Sequence, residues 1–241
     1  DSRDHAHFHR DVLRWRTAFA ASPTQAWALH FEDAACFAAA LYGAWHAGKT
    51  VVLPGDALAG TQARLQGRVD GFAGDWPQAT LTAPADDVSA TPLQPLDAEA
   101  ARLVVFTSGS TGQPAAIEKR LDQLASEVEA LQQAFGALLA GAQVQGTVSH
   151  QHIYGLLFRV LWPLAAGRAI QPRRFFHEDL VAALAAAPSV LVATPAHLKR
   201  LPPQLDWAAA RGQLRAVFSS GGPLPAQAAA DVREMLGIAP I

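Results

Sequence analysis

The sequence has little cysteine, little net charge and no long uninterrupted apolar run. Cys36 is the only cysteine in 241 residues, which excludes an intrachain disulfide and a cysteine-rich metal site and favours a reducing, cytoplasmic compartment. The 19 basic and 21 acidic residues give a formal charge of −2, so we expect no nucleic-acid partner. The most apolar stretches, residues 153–170 and 180–196, are interrupted by Arg159 and Pro188, so we expect no membrane span.

Helical and extended patterns alternate along the chain, and half of its residues are hydrophobic. Apolar spacing predicts helices at residues 4–21, 33–47, 57–66, 121–139, 154–166, 179–187 and 226–236, with a short helix after Pro195. Extended runs are predicted at residues 25–31, 49–53, 69–72, 79–81, 103–106, 144–148, 190–193 and 214–218. The alternation predicts a layered α/β fold with a largely parallel sheet.

The composition changes between residues 83 and 98, where three prolines and no periodicity are typical of a connector. We therefore predict an α/β subdomain over residues 1–82, a linker over 83–98 and a second α/β subdomain over 99–241. The chain begins without a methionine, which suggests a cut or engineered piece.

A loop rich in hydroxyls and glycine follows the extended run at residues 103–106. Residues 107–114 read Thr-Ser-Gly-Ser-Thr-Gly-Gln-Pro. Glycines let backbone N–H groups turn toward one point and hydroxyls add donors, so the loop suits a polyphosphate. A Ser/Gly turn between two elements is the alternative, and composition alone leaves both open. The spacing excludes a Walker-type loop, a Gly-x-Gly-x-x-Gly fingerprint and a Gly-x-Ser-x-Gly elbow.

The same eight residues resemble the phosphate-binding signature of the adenylate-forming (AMP-binding) superfamily, which includes acyl-CoA synthetases, peptide-synthetase adenylation domains and luciferases. Residues 152–156, His-Ile-Tyr-Gly-Leu, followed by Trp-Pro-Leu-Ala-Ala-Gly, resemble its histidine-aromatic-glycine segment. Residues 219–225, Ser-Ser-Gly-Gly-Pro-Leu-Pro, resemble its turn against the adenine. The resemblance runs from about residue 25 to the C-terminus and implies part of the family's large N-terminal domain, with residues 99–241 as the nucleotide-binding subdomain.

The resemblance implies an ATP-dependent, AMP-forming ligase that activates a small carboxylic acid. The carboxylate attacks the α-phosphorus of ATP, and the acyl group then passes to a thiol of CoA or of the phosphopantetheine on an acyl carrier protein. The protein must hold the phosphates still and offset the charge that builds on pyrophosphate, with Mg²⁺ as the implied metal. The alternatives are a non-catalytic nucleotide- or acyl-binding module and, more weakly, an unrelated α/β transferase.

The resemblance also implies the site residues. His152 is the candidate catalytic residue beside the acyl path, and no metal ligand is predicted. Because the 107–114 loop and His152 each follow a strand, we expect both to face one crevice beyond the carboxyl ends of a parallel sheet. The candidate nucleotide-binding residues are Thr107, Ser108, Gly109, Ser110, Thr111, Gly112, Lys119, Ser220, Gly221, Gly222 and Pro223.

The sequence departs from the family's pattern at two points. The family places a lysine directly after the loop's proline, where this chain has Ala115. If residues 115–119 are extended, Lys119 lies about 13 Å further along the same face, as a partial substitute for that cation or as a solvated strand-edge lysine. The chain also stops before the family's Mg²⁺-holding Tyr-Gly-x-Thr-Glu segment and its closing domain, which predicts an incomplete fragment, inactive alone.

Overall fold

The computed structural model describes residues 4–81, 92–107 and 115–241. Contacts within the chain divide it into two compact units, Asp1–Ser126 and Glu127–Ile241. Each unit has its own β-sheet and its own buried apolar residues.

The first unit is built on a five-stranded sheet whose order is β3-β1-β2-β4-β5. Neighbouring strands run parallel except β4 and β5, which pair antiparallel at one edge. The elements are α1 (His5–Ala20), β1 (Ala26–His30), α2 (Ala34–His46), β2 (Thr50–Leu53), α3 (Ala59–Leu65), β3 (Gly71–Gly74), β4 (Arg102–Thr107) and β5 (Ala115–Arg120).

Local sequence explains why α2 begins and ends where it does. The Asp33 carboxylate accepts the backbone N–H groups of Ala35 and Cys36, which satisfies donors that the first turn leaves unpaired. Gly48, just past the end, has a φ of 69°, a left-handed conformation that glycine adopts at little cost. Helix α2 is buried along most of its length, which explains its alanine-rich sequence.

The second unit is built on a three-stranded parallel sheet whose order is β6-β7-β8. Helix α4 (Leu121–Phe135) crosses the division between the units and continues into a 3₁₀ turn, Gly136–Leu139. The remaining elements are β6 (Gln143–Gly146), α5 (Ile153–Leu156), a π-helical turn (Leu157–Leu161), α6 (Trp162–Ala165), α7 (His177–Ala186), β7 (Ser189–Ala193), α8 (Pro195–Leu198), α9 (Ala208–Gln213), β8 (Leu214–Ser219) and α10 (Ala226–Leu236).

Two apolar groups cover this sheet. An aliphatic cluster joins strand residues such as Leu191 and Val217 to residues of α7, α9 and α10. An aromatic group joins Phe218 of β8 to Phe158 and Trp162, with ring centroids 5.1 and 6.1 Å away. Burying these side chains is the main stabilising term of the second unit.

The α/β fold with mostly parallel strands is confirmed. The helix predicted at residues 154–166 forms, but a π-helical turn interrupts it. Helix α9 was not predicted, because six residues that include Gly212 carry too little periodicity. Among the described residues, no helix combines the length and apolar character needed to cross a bilayer.

The predicted boundaries of 1–82, 83–98 and 99–241 stay a prediction, and most of that linker, residues 83–91, lies outside the described residues. The structure places its own division later, after Ser126. The physical reason is strand pairing: β4 bonds to β2 over Leu103–Val105, so the segment after the linker completes the first sheet.

Candidate functional site

The three strands of the second sheet end side by side at its carboxyl edge. Beyond β6, the Thr147 N–H donates to the Val192 carbonyl of β7 at 3.1 Å. On the other side of β7, the Ser220 N–H donates to the Ala193 carbonyl at 3.4 Å. The segments that follow β6, β7 and β8 therefore start from neighbouring points, where open parallel sheets bind ligands.

A histidine that the sequence analysis did not single out lies at this edge. The Nδ1 atom of His197 is 2.9 Å from the Thr147 hydroxyl and 3.1 Å from the Thr194 hydroxyl. Thr194 also caps α8, because its hydroxyl oxygen accepts the His197 backbone N–H at 3.4 Å. The chain thus brings one imidazole nitrogen against two hydroxyls from two different strand ends.

This arrangement favours one tautomer of His197. The Thr194 hydroxyl accepts the backbone N–H and can donate its own proton to Nδ1, and in that arrangement the ring proton lies on Nε2. Burial lowers the pKa of His197 below its ordinary 6.5, and the guanidinium groups of Arg174 and Arg200 lower it further. Nε2 of His197 makes no hydrogen bond to a described residue, so in this tautomer it is open to donate to a ligand.

The predicted adenine turn follows β8 at the same edge. Residues Ser220 to Pro223 are all exposed. Gly221 has a φ of 91°, which side chains rarely tolerate, and a Cβ built there would lie 3.9 Å from the Thr194 methyl group. A Cβ on Gly222 would meet no atom within 4 Å. The turn offers bare, open backbone, which fits a flat base lying against it.

His152 lies directly before α5, in the segment that follows β6, and its side chain is exposed. Two residues of the same motif fix this segment. Gly155 packs so closely that a Cβ would lie 2.0 Å from the Ser149 carbonyl oxygen. Tyr154 reaches the end of β7: burial raises the pKa of its hydroxyl, an effect that the backbone of Ala193 partly opposes.

The predicted phosphate loop begins where β4 ends, at Thr107. Its residues Ser108–Gly112 lie outside the described residues. Strand β4 belongs to the first sheet and β6 to the second, so this loop and His152 do not follow strands of one sheet, and the expectation that both face one crevice stays a prediction. The assignment of Thr107 to Gly112 to phosphate binding stays a prediction.

Lys119 lies in strand β5, so residues 115–119 are extended, as both interpretations of Lys119 assumed. It pairs with Leu103 at the start of β4, whereas Ala115 pairs with Thr107 at its end. Lys119 is half-buried, and four residues of strand, about 13 Å, separate it from the position opposite Thr107. This placement favours the strand-edge interpretation, and a phosphate-binding role for Lys119 stays a prediction.

Metal-ligating side chains are not clustered in the described part of the chain. Across residues 4–81, 92–107 and 115–241, no three His, Cys, Asp or Glu side chains are grouped so that they could hold a metal.

Sequence reasoning missed Thr147, Thr194 and His197 because their contacts span strand ends. His197 and Thr147 are 50 positions apart. One local signal existed, the Thr-Pro-x-His pattern directly after an apolar strand, in which Thr caps a short helix and Pro occupies its first turn. That pattern is typical of a short helix such as α8, but it does not indicate which residues contact the His197 ring.

Three solved structures show the same fold. The chain matches a malonyl-CoA ligase in a ternary product complex with methylmalonyl-CoA and AMP (22% identity, TM-score 0.75, 95% of this chain and 53% of that one). ATP-bound MatB from Rhodopseudomonas palustris matches at 20% identity and a TM-score of 0.80, over 99% of this chain and 54% of that one. The amide bond synthetase McbA from Marinactinospora thermotolerans matches at 19% identity and 0.73, over 99% and 54%.

The chain therefore spans about half the length of these structures. A comparison with curated proteins found no match. The family described as "AMP-binding enzyme" matches residues 56–241, more than two thirds of the chain, and includes both the turn at Ser220 and the segment at His152. The chain belongs to this AMP-binding enzyme family.

Proposed function

We propose that this chain supplies nucleotide- and acid-binding parts of an ATP-dependent, AMP-forming ligase for carboxylic acids. The observation that carries the proposal is the carboxyl edge of the second sheet. There an open glycine turn and a neutral imidazole donor follow adjacent strands within the matched family region. ATP binding by the R. palustris structure supports the same cofactor here.

Each part of the site has a proposed task. The Ser220–Pro223 turn takes the adenine against its bare backbone, and the loop from Thr107 to Gly112 takes the phosphates. His152 and His197 donate hydrogen bonds to oxygens of the acid or its adenylate, with neither acting as a nucleophile. Fixed donors aimed at developing charge lower the barrier because they need no reorganisation during the reaction.

The acceptor is proposed to be a thiol, of CoA or of a carrier-protein phosphopantetheine. The malonyl-CoA ligase with bound methylmalonyl-CoA supports CoA. Because an amide bond synthetase shares the fold, the acceptor test must include amines. Mg²⁺ is proposed to accompany ATP. A cytoplasmic location, which the lone Cys36 favours, also stays a prediction.

Product analysis tests the proposal. Protein from the complete reading frame, incubated with ATP, Mg²⁺, a panel of aliphatic and aromatic acids and either CoA or an amine, should release AMP and form one acyl product detectable by mass spectrometry. Nucleotide binding without AMP release, across the whole panel, would favour the non-catalytic module instead.

Residues 1–241 alone should form little acyl-adenylate, since they span about half the length of the matched structures. The measurement is pyrophosphate release by the 241-residue chain beside the complete protein. Equal turnover by both would overturn this part of the proposal.

A crystal of the chain soaked with ATP tests the nucleotide assignment. We expect density for the base against Gly221 and Gly222, and phosphate density at residues 107–112 tests the loop prediction on its own. Density for ATP elsewhere, with none at either segment, would contradict it.

A further inference from the structure

Arg159 is a buried charged residue at the centre of the second unit. Its side chain is 2% exposed, and it lies in the middle of the π-helical turn Leu157–Leu161. No described carboxylate forms an ion pair with it. Burial, with a further contribution from the charge of Arg174, lowers the pKa of its guanidinium to about 10.

The guanidinium instead holds three backbone carbonyls. Nη1 donates to Val148 at 2.8 Å, and Nη2 donates to Arg173 at 2.7 Å and to Gln171 at 3.2 Å. These acceptors belong to two segments: the one that follows β6 and the one that leads into α7. Burying a charge costs free energy unless hydrogen bonds compensate for it. The three carbonyls that Arg159 joins therefore indicate its role.

The end of β6 is shaped to admit this side chain. A Cβ on Gly146 would lie 2.8 Å from Cδ of Arg159, so a larger residue at position 146 would displace the arginine stem. The Gly146 carbonyl accepts the Phe175 N–H at 3.1 Å, which fastens the two segments to each other beside Arg159.

Each of the two segments carries a residue whose side chain contacts the His197 ring. Val148 follows Thr147, whose hydroxyl is 2.9 Å from His197 Nδ1. Arg173 lies three residues before Phe176, whose ring contacts the His197 ring edge-on with centroids 5.7 Å apart. Arg159 therefore holds the backbone beside two of the side chains that contact this imidazole.

We propose that Arg159 is a positioning residue for His197: by holding the segments of Thr147 and Phe176 together, it fixes the orientation and tautomer of the ring at the edge of the second sheet. The part that His197 plays toward an acid or adenylate rests on the proposed function. The positioning itself does not, and it can be measured without turnover.

The test uses the complete protein with ¹⁵N-labelled histidine and long-range ¹H–¹⁵N spectra, which distinguish the two ring tautomers. His197→Gln assigns the signal. We expect one tautomer, protonated on Nε2, in the unaltered protein. Arg159→Met should give mixed tautomers and a pKa closer to that of an ordinary histidine, and Arg159→Lys, which keeps the charge but fewer donors, should lie between them.

Two control variants separate positioning from general loosening. Leu184→Ala removes a fully buried core side chain of the same unit, and Arg215→Met removes an exposed arginine of β8. Both should leave the His197 signal unchanged. An unchanged signal in Arg159→Met, or an equal change in Leu184→Ala, would overturn the proposal. If Arg159→Met does not fold, Arg159→Lys decides: an intermediate signal supports the proposal and an unaltered one overturns it.

Kinetics provide the link to function. In the complete protein, Arg159→Lys should raise the KM for the acid about tenfold, the effect of losing one or two hydrogen bonds, with the KM for ATP changed less than twofold. An equal rise in both KM values would contradict the positioning role. Absence of any acid-dependent activity in the unaltered protein would overturn the proposed function and leave the spectroscopic result standing.

Discussion

The carboxyl edges of the two sheets use their polar side chains differently. In the first unit, the Asp75 carboxylate accepts the Glu32 N–H at 2.7 Å and the Asp56 carboxylate accepts the Leu58 N–H at 3.0 Å. The Trp76 indole donates to the Ala28 carbonyl at 3.1 Å. Each of these bonds closes a loop onto the backbone. At the second sheet, Thr147 and Thr194 meet His197, and one ring nitrogen stays unbonded within the described chain.

The difference indicates that the named side chains of the first edge serve folding, whereas those of the second edge are available for ligand binding. A side chain that hydrogen-bonds to backbone stabilises the loop and needs no further partner. A histidine whose Nδ1 contacts two hydroxyls holds its Nε2 at a defined position, where it can donate to a ligand oxygen. We therefore expect substitutions of Asp56, Asp75 and Trp76 to affect stability alone, and those of the residues at the second edge to affect substrate handling as well.

The largest expected effect is at Gly155. Its Cβ position lies 2.0 Å from the backbone oxygen of Ser149, so Gly155→Ala must move main chain and should lower the free energy of unfolding by about 3 kcal/mol. Gly212→Ala is the matched control: it lies in α9, nothing is within 4 Å, and helix propensity should stabilise it by about 0.5–1 kcal/mol. Urea denaturation of both variants measures this, and equal effects would contradict the packing described here.

Gly71 is the counterpart in the first unit. Its Cβ position lies 2.5 Å from the Trp27 ring, a side chain that can shift more readily than backbone. Gly71→Ala should therefore destabilise by about 2 kcal/mol, less than Gly155→Ala, and leave nucleotide and acid binding unchanged. Denaturation midpoints together with substrate titrations check this, and a loss of acid binding would break the distinction between the two units.

His152 tests the same distinction by activity. Because its exposed side chain lies beyond β6, His152→Ala should leave the free energy of unfolding unchanged. In the complete protein, we expect acid-dependent turnover to fall about tenfold while ATP affinity stays nearly intact, as for one lost hydrogen bond to a charged oxygen. Wild-type values for both quantities would make His152 a structural residue.

The smallest expected effect is on the pH dependence of the free energy of unfolding. Burial lowers the pKa of His46 in the first unit, and the charges of Arg16 and His9 lower it further, as burial and nearby arginines do for His197 in the second. For a histidine with a lowered folded pKa, the unfolded chain binds the proton more readily. The stabilising contribution is thus complete above pH 6.5 and is lost as the pH falls from 6.5 through the folded pKa.

Two variants isolate that contribution. His46→Gln and His197→Gln should each lose less stability than the unaltered chain as the pH falls below 6.5, as measured by urea denaturation at a series of pH values. A steeper loss in either variant would reverse the sign of the pKa shift described for that ring.

The sequence predicted the elements better than their assembly. Helix α2 was predictable because Asp33 and Gly48 mark its ends locally. The sheet to which β4 belongs was not predictable, because pairing with Val51–Leu53 depends on residues some 50 positions away and leaves no local pattern.

In the candidate site, too, local features were predictable from the sequence and long-range contacts were not. The turn after β8 and the segment before Gly155 were found because their residues are contiguous in sequence. His197 was missed because what distinguishes it is the distance from Nδ1 to Thr147, a contact across two strand ends. Arg159 was noted only as a break in an apolar stretch, since its carbonyl partners cannot be read from composition.

Acid-dependent exchange of labelled pyrophosphate into ATP, measured on the complete protein, tests the central claim most directly, because exchange requires reversible formation of an acyl-adenylate. We predict exchange with at least one carboxylic acid of the panel, none without acid, and a rate about tenfold lower in His152→Ala. Tight ATP binding with no exchange for any acid would contradict the claim that this edge of the second sheet serves adenylate formation.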